Sequence, residues 1–159
     1  GVGAFGQAMK NLEKSGLKNA LNSRVLEKKI PILGICLGMQ LMSDKSEEGG
    51  TSKGLGWIKG EVVSIHSDKK SLKIPHVGWN SINTIKRNKL FFGINDKSDF
   101  YFLHSYHLVP FYKEQVISTC DYGSKFASSV NFNNIFGVQF HPEKSQDLGL
   151  KLLNNFVNI

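Results

Sequence analysis

A chain of 159 residues with 40% apolar and 21% charged side chains has the size and balance of a single globular domain spanning residues 1–159, which excludes wholesale disorder. The formal net charge is +7, from 20 basic against 13 acidic residues, but the basic residues are scattered as Lys28-Lys29, Lys69-Lys70, Lys86-Arg87 and Lys89. Without a basic arm or a recognition motif they read as a solvated surface, so no nucleic-acid partner is expected. No apolar run approaches a bilayer span and no signal segment opens the sequence, so the expectation is a cytoplasmic enzyme without a membrane partner.

In chain order, residues 5–21 carry Phe5, Ala8, Met9, Leu12 and Leu17 at helical spacing, with Gly16 as a break. Residues 24–29 read as a second short helical piece. Ile30-Pro31-Ile32-Leu33-Gly34-Ile35 is a continuous apolar run, which predicts a strand buried on both faces in a parallel sheet. Helical spacing resumes over residues 37–43 through Met39, Leu41 and Met42, and the polar, glycine-rich residues 47–56 predict a surface loop. Alternation then predicts strands over residues 57–66, 81–85, 100–109, 115–120, 126–131 and 135–140. Leu148, Leu150, Leu152, Leu153, Phe156 and Val157 predict a closing helix over residues 146–159. A buried strand-to-helix unit, several strands and a final helix make an α/β domain.

Two cysteines are present, Cys36 and Cys120, and an intracellular chain gives little reason to pair them. Gly34-Ile35-Cys36-Leu37-Gly38 places one of them between a buried strand and a helix, flanked two residues away by glycine. That is the spacing of a nucleophile elbow, whose sharp turn leaves little room for side chains at the flanking positions. The thiol would sit at a helix N-terminus, where the dipole and free N–H groups favour the thiolate, with the Leu37 N–H available to an oxyanion. By itself the motif fits a structural cysteine in a tight turn equally well. Phe140-His141-Pro142-Glu143 adds an imidazole and a carboxylate two residues apart after a strand, so Cys36, His141 and Glu143 form one nucleophile–base–orienter set. Cys120 has neither an elbow nor a paired base and reads as core filler. The spacing of His104 and His107 invites a metal reading, but a strand at that spacing would aim their rings to opposite faces, and no metal or other cofactor is expected.

Gly34-Ile-Cys-Leu-Gly-Met-Gln40 together with Phe140-His-Pro-Glu-Lys-Ser145 resembles the class I (triad) glutamine amidotransferases. Gly1-Val-Gly-Ala-Phe5, Pro75-His-Val-Gly-Trp-Asn80 and Phe102-Leu-His-Ser-Tyr106 narrow the resemblance to the glutaminase subunits of imidazole glycerol phosphate synthase. The resemblance implies a flavodoxin-like three-layer α/β fold around a mixed, largely parallel sheet. It further implies that the family's first strand, helix and strand lie ahead of the segment matching Gly1-Val2-Gly3, so that the chain is N-terminally incomplete.

By that resemblance Cys36 attacks the glutamine carboxamide, His141 shuttles the proton and Glu143 fixes the ring. The oxyanion hole would combine the Leu37 N–H with a backbone N–H from Val2 or Gly3. Gln40, Glu48 and the His104-Ser105-Tyr106 segment correspond to the glutamine pocket, although Glu48 also fits a solvated loop acid. His76, Gly78, Trp79 and Asn80 match the surface that meets a (β/α)8-barrel synthase partner, which would form a heterodimer with an ammonia channel. For Trp79 the other reading is a core aromatic in a strand bend. Val77 stands where histidine-pathway relatives commonly carry methionine. That leaves an alternative, a paralogous subunit supplying ammonia for modification of nucleotide-linked surface sugars.

Overall fold

The helical spacing of residues 5–21 resolves into α1 (Phe5–Lys14) and α2 (Leu17–Asn22), separated by Gly16 at φ 73°, a left-handed value that glycine accepts without strain. In this computed structural model the described residues are 3–66 and 72–159. A π-helical turn (Ser23–Glu27) leads to β1 (Ile32–Ile35) and then α3 (Leu37–Leu41). Strands follow as β2 (Lys45–Ser46), β3 (Ser52–Lys53), β4 (Gly60–Ser64), β5 (His76–Thr84), β6 (Asp99–His104), β7 (Tyr106–Pro110), β8 (Val116–Tyr122), β9 (Ser124–Phe132) and β10 (Ile135–Val138). A 3-10 turn (Pro142–Lys144) and α4 (Gln146–Val157) close the chain.

Six strands form one sheet in the order β1-β10-β9-β8-β5-β6, and a smaller sheet runs β3-β2-β4-β7. The α/β class and the mixed sheet agree with the sequence, but the largely parallel balance does not. Among the described residues only β1–β10 and β2–β4 pair in parallel, and the other neighbours are antiparallel. Parallel neighbours need a crossover, commonly a helix, and after α3 the chain advances mainly through tight turns and 3-10 pieces.

Two further expectations change for local reasons. The run at residues 30–35 is half-buried rather than covered on both faces, because β1 ends the sheet and a groove of about 350 Å³ lined by Leu12, Leu21, Leu33 and Leu41 opens beside it. The single strand expected over residues 100–109 breaks at Ser105, where the chain passes from the larger sheet into the smaller. The Ser105 carbonyl accepts from the Ile65 N–H at 2.8 Å at that passage.

Alternation along β10 sends Ile135 to one apolar cluster and Phe136 to another. The first gathers Phe5, Met9, Met39, Met42 and Val62 under α1 and α3; the second gathers Phe100, Phe102, Phe140 and Leu152 against α4. Helices therefore cover both faces of the larger sheet, and the parallel pairing of β1 with β10 sets their C-terminal ends side by side. Among the described residues no helix is long and apolar enough to cross a membrane.

Candidate active site

Cys36 follows β1 with φ 50° and ψ −108°, a backbone state that a residue with a side chain adopts only when its surroundings hold it there. Its own N–H donates to the Val138 carbonyl at 2.8 Å, which continues the parallel β1–β10 ladder past the strand end. Gly34 makes the turn possible: a Cβ there would lie 2.7 Å from backbone atoms of Gly38 and Met39. The matching expectation for Gly38 fails, since a Cβ at that position would meet nothing within 4 Å. Only the strand side of the elbow is sterically closed.

The thiol is buried and lines a cavity of about 290 Å³ with Gly3, Leu37, Gln40, Glu48, Pro75, Leu103, His104, Ser105 and Tyr106. Val2 lies outside the described residues. A larger cavity of about 740 Å³ lies near Lys86, Arg87 and Phe92, but neither a cysteine, a histidine nor a carboxylate lines it. Cys36 Sγ lies 3.6 Å from the Leu103 carbonyl and 3.6 Å from the Gln139 side-chain nitrogen. Burial pushes the thiol above its ordinary pKa, and the Leu37 N–H and the Gln139 amide offset part of that rise. This corrects the expectation of a thiol lowered by a helix dipole: α3 has only five residues, and desolvation outweighs it.

His141 is buried, and its Nδ1 lies 2.7 Å from Glu143 Oε1. Glu143 is 47% exposed at its side chain, so it orients the ring from the solvent side. His141 Nε2 is buried with no hydrogen-bond partner, an arrangement that leaves it open to take up a proton. Ser145, the last residue of the Phe140–Ser145 motif, pins this turn. Its hydroxyl donates to the His141 carbonyl at 2.7 Å and accepts from the Tyr101 N–H at 3.0 Å, while the His141 N–H donates to the Tyr101 carbonyl at 2.8 Å.

Gln40 is buried, and its side-chain nitrogen donates to the Tyr106 carbonyl at 2.8 Å and to Gln139 Oε1 at 3.2 Å. Glu48 borders the cavity, and its Oε2 accepts from the Phe5 N–H at 2.9 Å. That carboxylate therefore caps α1 from outside the helix, a task no local sequence pattern announces. An acceptor and a thiol around one cavity, with the open Nε2 of His141 outside its lining, suit acyl transfer from a small amide carrying a cationic group. Among the described residues no group of three or more His, Cys, Asp or Glu side chains could hold a metal ion.

The model of the family described as glutamine amidotransferase class-I matches residues 1–159. The chain belongs to the class I glutamine amidotransferases. It is 54% identical over all of its 159 residues to an imidazole glycerol phosphate synthase subunit HisH 1 from Campylobacter jejuni subsp. jejuni serotype O:23/36 (strain 81-176), and spans 78% of that relative. It is 45% identical to the HisH subunit from Leptospira interrogans, again with all of this chain and 78% of the relative covered. Among solved structures, a glutamine amidotransferase superposes with a TM-score of 0.69 at 14% identity, over 98% of this chain and 76% of that one. A glutamine amidotransferase from Thermotoga maritima gives 0.62 at 17% identity, over 99% and 60%. At such identities the structures speak for the amidotransferase fold alone.

The residues expected to meet a partner do not share one face in this amidotransferase. Successive residues of β5 alternate, so His76 turns inward and is buried while Val77 and Trp79 turn outward. Trp79 is 48% exposed and meets the Tyr101 ring edge-on at 6.1 Å between centroids, with Lys144 Nζ 5.9 Å from the Tyr101 ring centroid. Asn80 is half-buried and reaches back toward His76, and Gly78 adds no side chain to the surface. His76 thus supports the face from below. The break at Ser105 also overturns the expectation that His104 and His107 point apart: both rings lie against Phe126, at 5.1 and 5.5 Å.

Proposed function

We propose that this amidotransferase is the glutaminase subunit of imidazole glycerol phosphate synthase, releasing ammonia from glutamine for a (β/α)8-barrel synthase partner in histidine biosynthesis in the cytoplasm. The observation that carries the chemistry is the Cys36 elbow opening on one cavity with Gln40 and Glu48, with an oriented His141 beyond it. The named HisH relatives, similar over the whole chain, support the pathway.

In this reading the Cys36 S–H proton passes to His141 Nε2, and the sulfur electron pair attacks the glutamine carboxamide carbon. The Leu37 N–H, with Gly3 or Val2 of the opening segment, receives the oxyanion. His141 returns the proton to the leaving nitrogen, ammonia departs, and a γ-glutamyl thioester remains. Water, deprotonated by the same imidazole, then releases glutamate and restores the thiol. Glu48 Oε1 would face the substrate ammonium, since Oε2 already accepts from Phe5. Val77, Trp79, Tyr101 and Lys144 would form the docking face, with exposed Trp79 as its anchor.

Glutamate release from glutamine, measured with and without a synthase subunit, tests the proposal. Stimulation by that subunit and loss in Cys36→Ala are expected. Hydrolysis of other amides with none of glutamine would overturn it.

A further inference from the structure

We propose that Gln139 is a further catalytic residue, whose side-chain N–H donates to the Cys36 sulfur and holds the thiolate, in an orientation imposed through Gln40 by the Tyr106 backbone carbonyl. This role rests on the cysteine-thioester reading of the site.

Register places the two residues together. Ile35 pairs with Val138 across the parallel β1–β10 ladder, so the next residues, Cys36 and Gln139, emerge side by side. Gln139 is 0% exposed and its backbone N–H is tied to the Ser128 carbonyl at 2.9 Å. Its amide nitrogen lies 3.6 Å from Cys36 Sγ and its oxygen lies 3.2 Å from the Gln40 nitrogen.

The amide could in principle be flipped, with oxygen toward sulfur, and only the surrounding network can decide. The Tyr106 carbonyl decides it, because a carbonyl accepts and never donates. It lies 2.8 Å from the Gln40 nitrogen and 2.9 Å from His104 Nδ1, so both must present N–H. His104 then carries its proton on Nδ1, and its Nε2 is a lone pair facing His76 Nδ1 at 3.0 Å. His76 must donate there, which leaves its Nε2 to accept from the Asn80 amide at 3.4 Å. The Asn80 oxygen accepts from the Ser81 N–H at 2.9 Å, fixing that amide as well. On the other side, Gln40 presents its NH2 group to Gln139, which must answer with oxygen. The remaining end of Gln139, its N–H, faces the sulfur.

Burial keeps both imidazoles neutral, with His76 pushed down to about 4 and His104 to about 3, so at neutral pH the histidine arm keeps these tautomers and meets Gln40 only at the Tyr106 carbonyl. The donor is worth more to the ionised sulfur than to the thiol, which is what a catalytic interaction requires. When the S–H bond breaks and the proton moves to His141 Nε2, the electron pair stays on sulfur. Gln139 and the Leu37 N–H hold it until the bond to the carboxamide carbon forms.

The test is the pH dependence of Cys36 alkylation by iodoacetamide, read on the Cys36 peptide, in the wild type, Gln139→Met and Gln139→Leu. Losing one charge-assisted N–H should slow alkylation at pH 7 by about tenfold in both variants and move its midpoint about one unit alkaline, with rates converging above the midpoint. An unchanged midpoint in a variant that melts like the wild type would overturn the proposal, even with glutamate release intact. Should neither variant fold, the wild type decides: the Gln139 side-chain amide NMR signals should shift through the thiol midpoint, and signals that ignore it would overturn the role. A displaced midpoint in a protein that releases no glutamate supports the Gln139 contact and contradicts the glutaminase reading instead.

Discussion

Cys36 and Cys120 are both free, both buried, and both pushed up by desolvation, Cys120 to about 12. Cys120 sits mid-strand in β8 opposite Ile82, inside the apolar cluster of Phe100, Phe126 and Phe136, with one offsetting N–H from Asp121. Cys36 sits beyond a strand end at positive φ, with N–H donors from Leu37 and Gln139 and a cavity in front of it. Neither residue type nor depth distinguishes them. Reactivity comes from the donors and the open space that strand ends provide, where a ladder stops and its next residues are free to do chemistry.

The largest effect should come from exchanging the two sulfurs for oxygen. Cys36→Ser should lower glutamate release by at least about 10³-fold, and Cys120→Ser should leave it essentially unchanged. Equal losses in a steady-state assay would break the comparison. Removing the base should cost less: His141→Gln lowers kcat by about 10²-fold or more with KM little affected, as measured by initial rates.

Acid sharpens the comparison from the side of the Cys36 network. The folded pKa values of His76 and His104, about 4 and about 3, lie below the ordinary 6.5, so the unfolded chain takes up protons first as pH falls. Stability is therefore full above pH 6.5 and lost as pH falls through the interval down to those folded values. Linkage gives about 2 kcal/mol for each imidazole at pH 5. Denaturant midpoints at pH 7.5 and pH 5 check this, and His104→Gln should show the smaller acid loss. The smallest effect belongs to Cys120→Ala, which should cost about 1–2 kcal/mol in a denaturant melt and spare activity.

The elbow, the His141–Glu143 pair, the helices and most later strands were legible because each rests on local spacing, whereas the two-residue strands β2 and β3 escaped, β3 lying inside the loop expected over residues 47–56. Gly34 announced the turn, since its missing Cβ is demanded by atoms four residues away. What escaped depends on long-range register. Gln139 reaches Cys36 only because Ile35 pairs with Val138, and Glu48 caps α1 across 43 residues. His76 was expected at a surface because the motif was read as a block, whereas strand alternation turns it inward under Trp79. The run at residues 30–35 does pair in parallel, with β10, and only the largely parallel balance implied by the resemblance fails, because the chain after α3 joins most neighbouring strands antiparallel.

The central claim, that Cys36 and not Cys120 is the thiol that meets glutamine, is tested most directly by covalent labelling with a glutamine-like diazoketone followed by peptide mass spectrometry. Label is expected on the Cys36 peptide alone, suppressed by added glutamine. Label on Cys120, or labelling of Cys36 that glutamine does not suppress, would contradict it.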